Sequence, residues 1–340
     1  MTRTPIDPGP LTVFVLSRLK PGLGAVLCLL GLSVPVAASP TITTFDVPAM
    51  KDTYAESINR AGVIAGFYKH HNNNVYHGFV RAADGTITTF DPPGSVDTFA
   101  TSINRSGRIA GYYSGSGGTH GFVRKPDGTI ATFGVPGSVG TYVESINQSG
   151  ATAGYFADSS KVHAFVRAAS GTVTTFDPPG AAGSVANAIN RSGTIAGYFY
   201  KHRINHGFMR TADGTITTLD PPGSTSAAAF GINRAGSIVG AFADGGGTHG
   251  FLRMPDGSIT TFDAASTADT FPLGIDRAGR IAGYYIDGSG AHGFMRKLNN
   301  TIVIFDPAGS IGTYAVTIAG AKIAGYFTDA NGTHGFVRTT

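Results

Sequence analysis

His77-Gly78-Phe79-Val80-Arg81-Ala82-Ala83-Asp84-Gly85-Thr86-Ile87-Thr88-Thr89-Phe90-Asp91 is the stretch on which the fold turns. Two short runs rich in Val, Ile, Thr and Phe flank Asp84-Gly85, where Asp favours a bend and Gly supplies a positive φ. They read as a hairpin of strand C (His77–Arg81) and strand D (Thr86–Asp91). Just upstream, Tyr54–Asn59 (strand A) and Val63–Tyr68 (strand B) flank Asn59-Arg60-Ala61-Gly62, a second tight turn. Two hairpins in succession make a four-stranded antiparallel unit.

The unit recurs along the chain. Strand D begins at Thr41, Thr86, Thr129, Thr172, Thr215, Ser258 and Thr301, and strand C begins at His77, His120, His163, His206, His249, His292 and His334. Successive histidines stand 43 residues apart five times and 42 once. Strand A ends at Asn59, Asn104, Asn147, Asn190 and Asn233, then at Asp276 and Ala319, and strand B keeps a glycine from Gly66 and Gly111 through Gly325. Four strands in about 40–45 residues is the period of a propeller blade. The ends of the chain add a constraint. Thr41–Asp46 is a D strand with no A–B–C before it, and Thr313–Arg338 is an A–B–C set with no D strand after it. An open solenoid needs polar caps over its terminal faces, and no such repeat is present. The expected fold is an all-β, seven-bladed β-propeller of four-stranded antiparallel blades, with Thr41–Asp46 completing the last blade. Residues 39–340 form one domain, divided as 41–85, 86–128, 129–171, 172–214, 215–257, 258–300 and 301–340.

These motifs resemble the extracellular HAF-repeat proteins of bacteria. The name describes strand C, which appears here as His163-Ala164-Phe165 and elsewhere as His-Gly-Phe, beside Ile-Asn-x-x-Gly-x-Ile-Ala-Gly and Asp-Gly-Thr-Ile. The resemblance covers essentially all of 41–340. It implies secretion and a β-rich repeat fold, and it supplies no activity.

Residues 1–38 read as a secretory signal peptide. Arg18 and Lys20 precede the apolar run Gly22 to Leu32, and the segment closes on Val36-Ala37-Ala38, small residues that suit cleavage after Ala38. The apolar run is shorter than the ~20 residues a span needs, so no stable membrane span is expected after cleavage. Cys28, the only cysteine, lies in that run, behind Leu27 where a lipoprotein signal needs a small residue. The mature chain therefore has no thiol chemistry and no disulfide. Residues 1–38 hold Arg3, Arg18 and Lys20 against Asp7, so the formal charge falls from +4 to +2. That is too weak a balance for a nucleic-acid partner. The expected location is extracellular, periplasmic or at the cell surface.

The repeated polar residues read as structure. His77, Phe79 and Arg81 share one strand face, and buried polar groups need partners. Fourteen residues after each histidine comes the end of strand D, and for five of them it is an aspartate: Asp91, Asp177, Asp220, Asp263 and Asp306 for His77, His163, His206, His249 and His292. His334 reaches Asp46 only if the ring closes, and His120 meets Gly134 instead. A one-residue bulge at the Asp84-Gly85 turn sets His77 opposite Asp91. A ring of metal-binding histidines fails, because equivalent positions on separate blades stand too far apart. No metal and no cofactor is expected. The strand-B glycines are expected to let an aromatic ring lie against the backbone.

Function is then expected where the repeats differ. The short A–B and C–D turns share one rim, and the longer B–C and D–A links share the other. Two B–C loops stand out: Lys69, His70, His71 and Tyr76 in the first repeat, and Tyr200, Lys201, His202 and Arg203 in the fourth. Cationic groups beside tyrosine suit an anionic or hydroxyl-rich ligand, such as a cell-envelope glycan. Asp158, Asp244, Asp287 and Asp329 in other B–C loops match no calcium pattern. The mature chain has two glutamates, Glu56 and Glu144, at equivalent places in strand A. They are the acid–base candidates of a second reading, a carbohydrate-active lyase or hydrolase. A purely structural surface protein is a third.

Overall fold

The computed structural model describes residues 40–50, 52–70, 74–266 and 268–339. The expected signal peptide with Cys28 lies outside them, as does His71. The described chain is all-β, with no helix, so no helix long and apolar enough to cross a membrane occurs among the described residues.

Strands of Asp52–Ile58, Ile64–Lys69, Tyr76–Arg81 and Ile87–Phe90 hydrogen-bond in that order, each antiparallel to the next. The same A–B–C–D unit recurs from Ser95–Ile103, Gly140–Ile146, Gly183–Ile189, Ser226–Ile232 and Asp269–Ile275. Two neighbouring units merge nominally into an eight-stranded sheet, but one parallel bridge, Gly140 to Thr119, is all that joins them. The last A–B–C set begins at Gly312–Ala319, and its fourth strand is Ile42–Phe45. Ile42 faces Arg338 and Thr44 faces Phe336 across that pairing. The D–A links, such as Asp91 to Gly94, carry the chain from one unit to the next.

The turns behave as their residues dictate. At the C–D turn the Ala82 N–H donates to Thr86 O at 2.8 Å and Gly85 donates to Ala82 O at 3.0 Å. Gly85 has φ +100°, the left-handed bulge position of a three-residue hairpin loop, and the resulting register brings His77 beside Asp91. In strand B, a Cβ on Gly66 would meet the Phe79 ring at 2.9 Å and press into the Tyr54 carbonyl. The glycine is needed for both approaches.

Units pack face to face through one repeated assembly. The strand-C phenylalanine of one unit meets the strand-D phenylalanine of the unit before it edge-on, as Phe79 meets Phe45 (6.1 Å) and Phe122 meets Phe90 (5.9 Å). The strand-C arginine lies over that same ring: Arg81 over Phe45 at 4.7 Å, Arg124 over Phe90 at 4.9 Å. This accounts for the fixed arginine, whose guanidinium gains a cation–π contact where water is scarce. Arg253 breaks the pattern, because Leu219 stands where the phenylalanine would be. Phe79, Phe122, Phe165, Phe208, Phe251, Phe294 and Phe336 are all fully buried, and truncating one costs roughly 3–5 kcal/mol.

The A–B turns add a polar ladder. Asn59 Oδ1 accepts from the N–H groups of Ala61 and Val63, which caps its own turn. Its Nδ2 donates to Asn104 O at 3.2 Å, in the next unit. Asn104, Asn147, Asn190 and Asn233 repeat this, each donating to the following repeat. Asp276 has no amide to give. Arg280, ion-paired to it at 2.7 Å, donates to Gly320 O in its place.

Candidate functional site

The seven strand-C histidines are held in the same way on one side. Each ring lies over the strand-B aromatic of its own unit, at centroid distances from 5.0 Å (Phe156 with His163) to 5.5 Å (Tyr113 with His120). Nδ1 then meets the aspartate at the end of strand D: 2.7 Å from His77 to Asp91, 2.7 Å from His163 to Asp177 and 2.6 Å from His206 to Asp220. The same contact is 2.8 Å from His249 to Asp263 and 2.8 Å from His292 to Asp306. His334 meets Asp46, from the other end of the chain, at 2.9 Å. Gly134 leaves His120 without this partner.

A second clamp comes from the B–C loop, on the opposite ring nitrogen. Asp158 lies 3.2 Å from His163 Nε2, Asp244 3.2 Å from His249 and Asp329 3.1 Å from His334. Asp287 stands 3.5 Å from His292, whose Nε2 also meets Ser289 Oγ at 2.9 Å. Sequence reading weighed these four aspartates only as calcium ligands. The missed signal was their constant distance of five residues before the histidine. Their charge is held by local turns, which lower the Asp158, Asp244 and Asp329 carboxyls mainly through Ser160, Gly246 and Asn331 donors.

In the fourth repeat this clamp is absent among the described residues, and in the first the corresponding position, residue 72, lies outside them. Nε2 of His77 and of His206 makes no hydrogen bond among the described residues. Lys201 stands at the clamp position, five residues before His206. Its chain runs along Gly180 of the preceding D–A link. His202 (φ 51°) and Arg203 (φ 68°) form the two-residue turn between Lys201 and Ile204, both exposed and both in the left-handed region. In the second repeat Gly117 takes the positive φ at the second position of the same turn. Tyr200 and Ile204 are exposed beside them, at 45% and 41%. In the first repeat Lys69 Nζ lies 5.9 Å from the Tyr76 ring, and Tyr76 packs on Phe67 and Phe99. His70 lies edge-on to His77 at 5.9 Å. The structure therefore gathers each loop's candidates at its own hairpin, three units apart along the chain, and does not bring the two loops together.

Glu56 and Glu144 lie on inner strands, each at an interruption of the A–B register. Burial first, and then the negative field of Glu144, pushes the Glu56 carboxyl up to about 7. Burial alone pushes Glu144 up to about 7. Both keep partial water contact, so crowding by surrounding protein, not complete exclusion of water, is the cause. Two depressions on the outside, of about 690 Å³ beside His334 and Asp306 and about 280 Å³ beside Asn147 and Arg210, include neither carboxylate. Among the described residues no three His, Cys, Asp or Glu side chains are grouped as a metal site.

The architecture is that of a β-propeller, and solved structures agree. The chain is similar to streptogramin B lyase at 16% identity, with a TM-score of 0.61 over 88% of this chain and 98% of that one. It is similar to virginiamycin B lyase from Staphylococcus aureus at 14% identity and TM-score 0.61, over 89% of this chain and 100% of that one. The β-propeller domain of the Trilobed protease from Pyrococcus furiosus, described as an open velcro topology, matches at 10% identity and TM-score 0.64, over 85% and 93%. At these identities the likeness is one of fold. No family model and no curated protein matches the chain.

Proposed function

We propose that this chain is a secreted, non-catalytic binding module of the HAF-repeat type, released by cleavage after Ala38. Seven blades form a closed ring, with Ile42–Phe45 as the outer strand of the last blade. The contacts of the two chain ends support closure: Tyr54 meets Tyr326 edge-on at 5.1 Å, and the side chains of Thr41 and Thr339 touch at 2.8 Å. A full-length Cys28→Ser chain carrying Thr41→Cys and Thr339→Cys should form an internal disulfide, read as a mobility shift reversed by reductant. Failure to form it removes the closed ring.

The observation that carries the binding reading is the pair of altered B–C loops. Four repeats close their histidine with a loop aspartate. The fourth presents Lys201 there and accepts two non-glycine residues at positive φ, and the first carries Lys69 and His70 earlier in the same loop. Such strain persists where something other than stability holds it. The ligand is anionic or hydroxyl-rich, of the kind a cell-envelope glycan offers. Replacing Lys69, His70, Lys201 and Arg203 with Ala should abolish retention on a glycan array; retention that persists sinks the rim site. No nucleic-acid partner or cofactor belongs to this reading.

One observation favours a second reading, a secreted carbohydrate-active lyase or hydrolase. Carboxyls titrating near neutrality are poised as general acid and base. Turnover of an envelope or plant polysaccharide, lost in Glu56→Gln and Glu144→Gln, would establish it. Absence of turnover across such a panel returns the protein to the binding reading.

A further inference from the structure

Each inner strand contains a residue in its second half that pairs with nothing in strand B, and Ser95–Ile103 skips Val96 near its start as well. The register skips it between Ala55 and Ser57, between Ala100 and Ser102, and at the matching place in every later unit. A bulge of this kind pushes its extra side chain out of the paired surface. Ala55, Ala100, Val143, Ala186, Ala229 and Ala315 just before it are fully buried, whereas every bulged residue is partly accessible. The bulged side chains therefore face the space that the inner strands surround. Each inner strand lies against the next, and Gly312–Ala319 lies against Asp52–Ile58.

Their order is not mixed. Glu56, Thr101, Glu144 and Asn187 come first, four polar residues in succession. Phe230, Leu273 and Val316 complete the set. One wall of the channel is thus polar and the other apolar. Thr101 donates to Val143 O and Asn187 to Ala229 O, both at 2.8 Å and both into the next unit. Glu56 and Glu144 make no such bond among the described residues.

Next to the bulges runs a belt of stacked aromatics, one pair per unit: Tyr54 on Phe67, Phe99 on Tyr112, Tyr142 on Tyr155, Phe271 on Tyr284 and Tyr314 on Tyr326. The belt is interrupted in two adjacent units. Val185 faces Tyr198 in one, and Ala228 faces Ala241 in the next. The gap adjoins the bulged Phe230, at the edge of the apolar wall.

A carboxylate in so crowded a place is costly without a partner, and two that share one space are worse. No Lys, Arg or His contributes to the field at either glutamate. The ionisable groups that do face them are each other and tyrosines: Tyr54 and Tyr326 around Glu56, Tyr155 and Tyr198 around Glu144. Aromatic faces and carboxylates together attract a weakly hydrated cation. We propose that the channel binds a small organic cation, an amine or quaternary ammonium with an apolar body. Its charge sits on the Glu56–Glu144 wall, and its body lies on Phe230, Leu273 and Val316 beside the gap in the belt. This rests on the closed-ring reading, which the Thr41–Thr339 cross-link tests separately.

Benzyltrimethylammonium is the probe, with neopentylbenzene as neutral isostere and phenylacetate as anion. The chain has 13 tyrosines and no tryptophan, so tyrosine emission from the belt reads occupancy and calorimetry gives the affinity. At pH 8 the cation alone should bind. Its affinity should fall at least tenfold in Glu56→Gln/Glu144→Gln, and likewise at pH 5, where both carboxyls are neutral. Leu273→Lys supplies a resident cation and should block the probe; circular dichroism checks that each variant folds. Equal binding of the neutral isostere or of phenylacetate, an unchanged affinity in either variant, or no binding at pH 8 overturns the proposal. If the cross-link forms while the cation fails, the channel reading alone is lost. If the cross-link fails, both are lost.

Discussion

The two rims of the molecule use their polar side chains in opposite ways. On the A–B rim, Asn147 caps its own turn, receives a bond from Asn104 and gives one to Asn190. Nearly every polar atom there is matched, and the residue is 5% exposed. On the B–C rim the same scaffold ends in loops that close in some repeats and stay open in others. Stability is concentrated at the first rim, and variation is tolerated at the second. The difference comes from register: each A–B turn repeats one bond to its neighbour's turn, whereas the B–C loops differ in what they offer their own histidine.

The sharpest way to break that comparison is Asn147→Ala. It removes a donor between units and three local acceptor contacts in a buried place, so unfolding free energy should drop by about 2–4 kcal/mol. Asn147→Asp keeps the acceptors and should lose roughly 1 kcal/mol. Urea midpoints that match wild type in both would show that the ladder does not hold the units together. A smaller effect separates closed from open loops. His163→Ala breaks contacts to Asp177 and Asp158 and should cost about 1–2 kcal/mol, whereas His206→Ala, with one aspartate, should cost roughly half as much. Equal midpoints would mean that the loop clamp contributes nothing.

The third prediction concerns pH. Burial lowers the His334 imidazole, but hydrogen bonds and charge from Asp46 and Asp329 outweigh it, and the group ends above its ordinary value. A raised histidine stabilises fully below its unfolded value and loses that stabilisation as pH rises through the folded one. The gap between wild type and His334→Ala should therefore be wider at pH 5.5 than at pH 8.5, by about 1 kcal/mol or less. A gap that widens with pH would contradict the ion pair at the chain ends. The smallest effect is a gain: His202→Gly with Arg203→Gly relieves two left-handed residues and should stabilise by roughly 0.5 kcal/mol. A loss of stability there would show that the turn is built for the fold and not for a ligand.

The four-stranded unit was legible because Asp84-Gly85 and Asn59-Arg60-Ala61-Gly62 fix two hairpins with local chemistry. The aspartate partners of five histidines were legible because their spacing of fourteen residues recurs in five repeats; the second repeat has Gly134 there, and Asp46 reaches His334 from the other end of the chain. The loop clamp was equally regular but hidden, since aspartate in a loop first suggests a metal or plain solvation. The bulges at Glu56 and Glu144 left no mark at all. One unpaired residue changes neither composition nor hydrophobic alternation enough to be seen, and it takes a side chain out of the paired surface. Sequence reading placed both glutamates on strand A but had no means of seeing why they escape the packed face.

That extra residue also bears on how such a gene can diversify. A bulged residue is not part of the A–B ladder, so a position such as Glu56 or Glu144, which makes no hydrogen bond among the described residues, can change without removing a bond of the sheet. The result is one adjustable position in each unit. A change from Thr to Glu at one of them trades the bonds that Thr101 makes for a crowded carboxylate, and so exchanges stability for new chemistry.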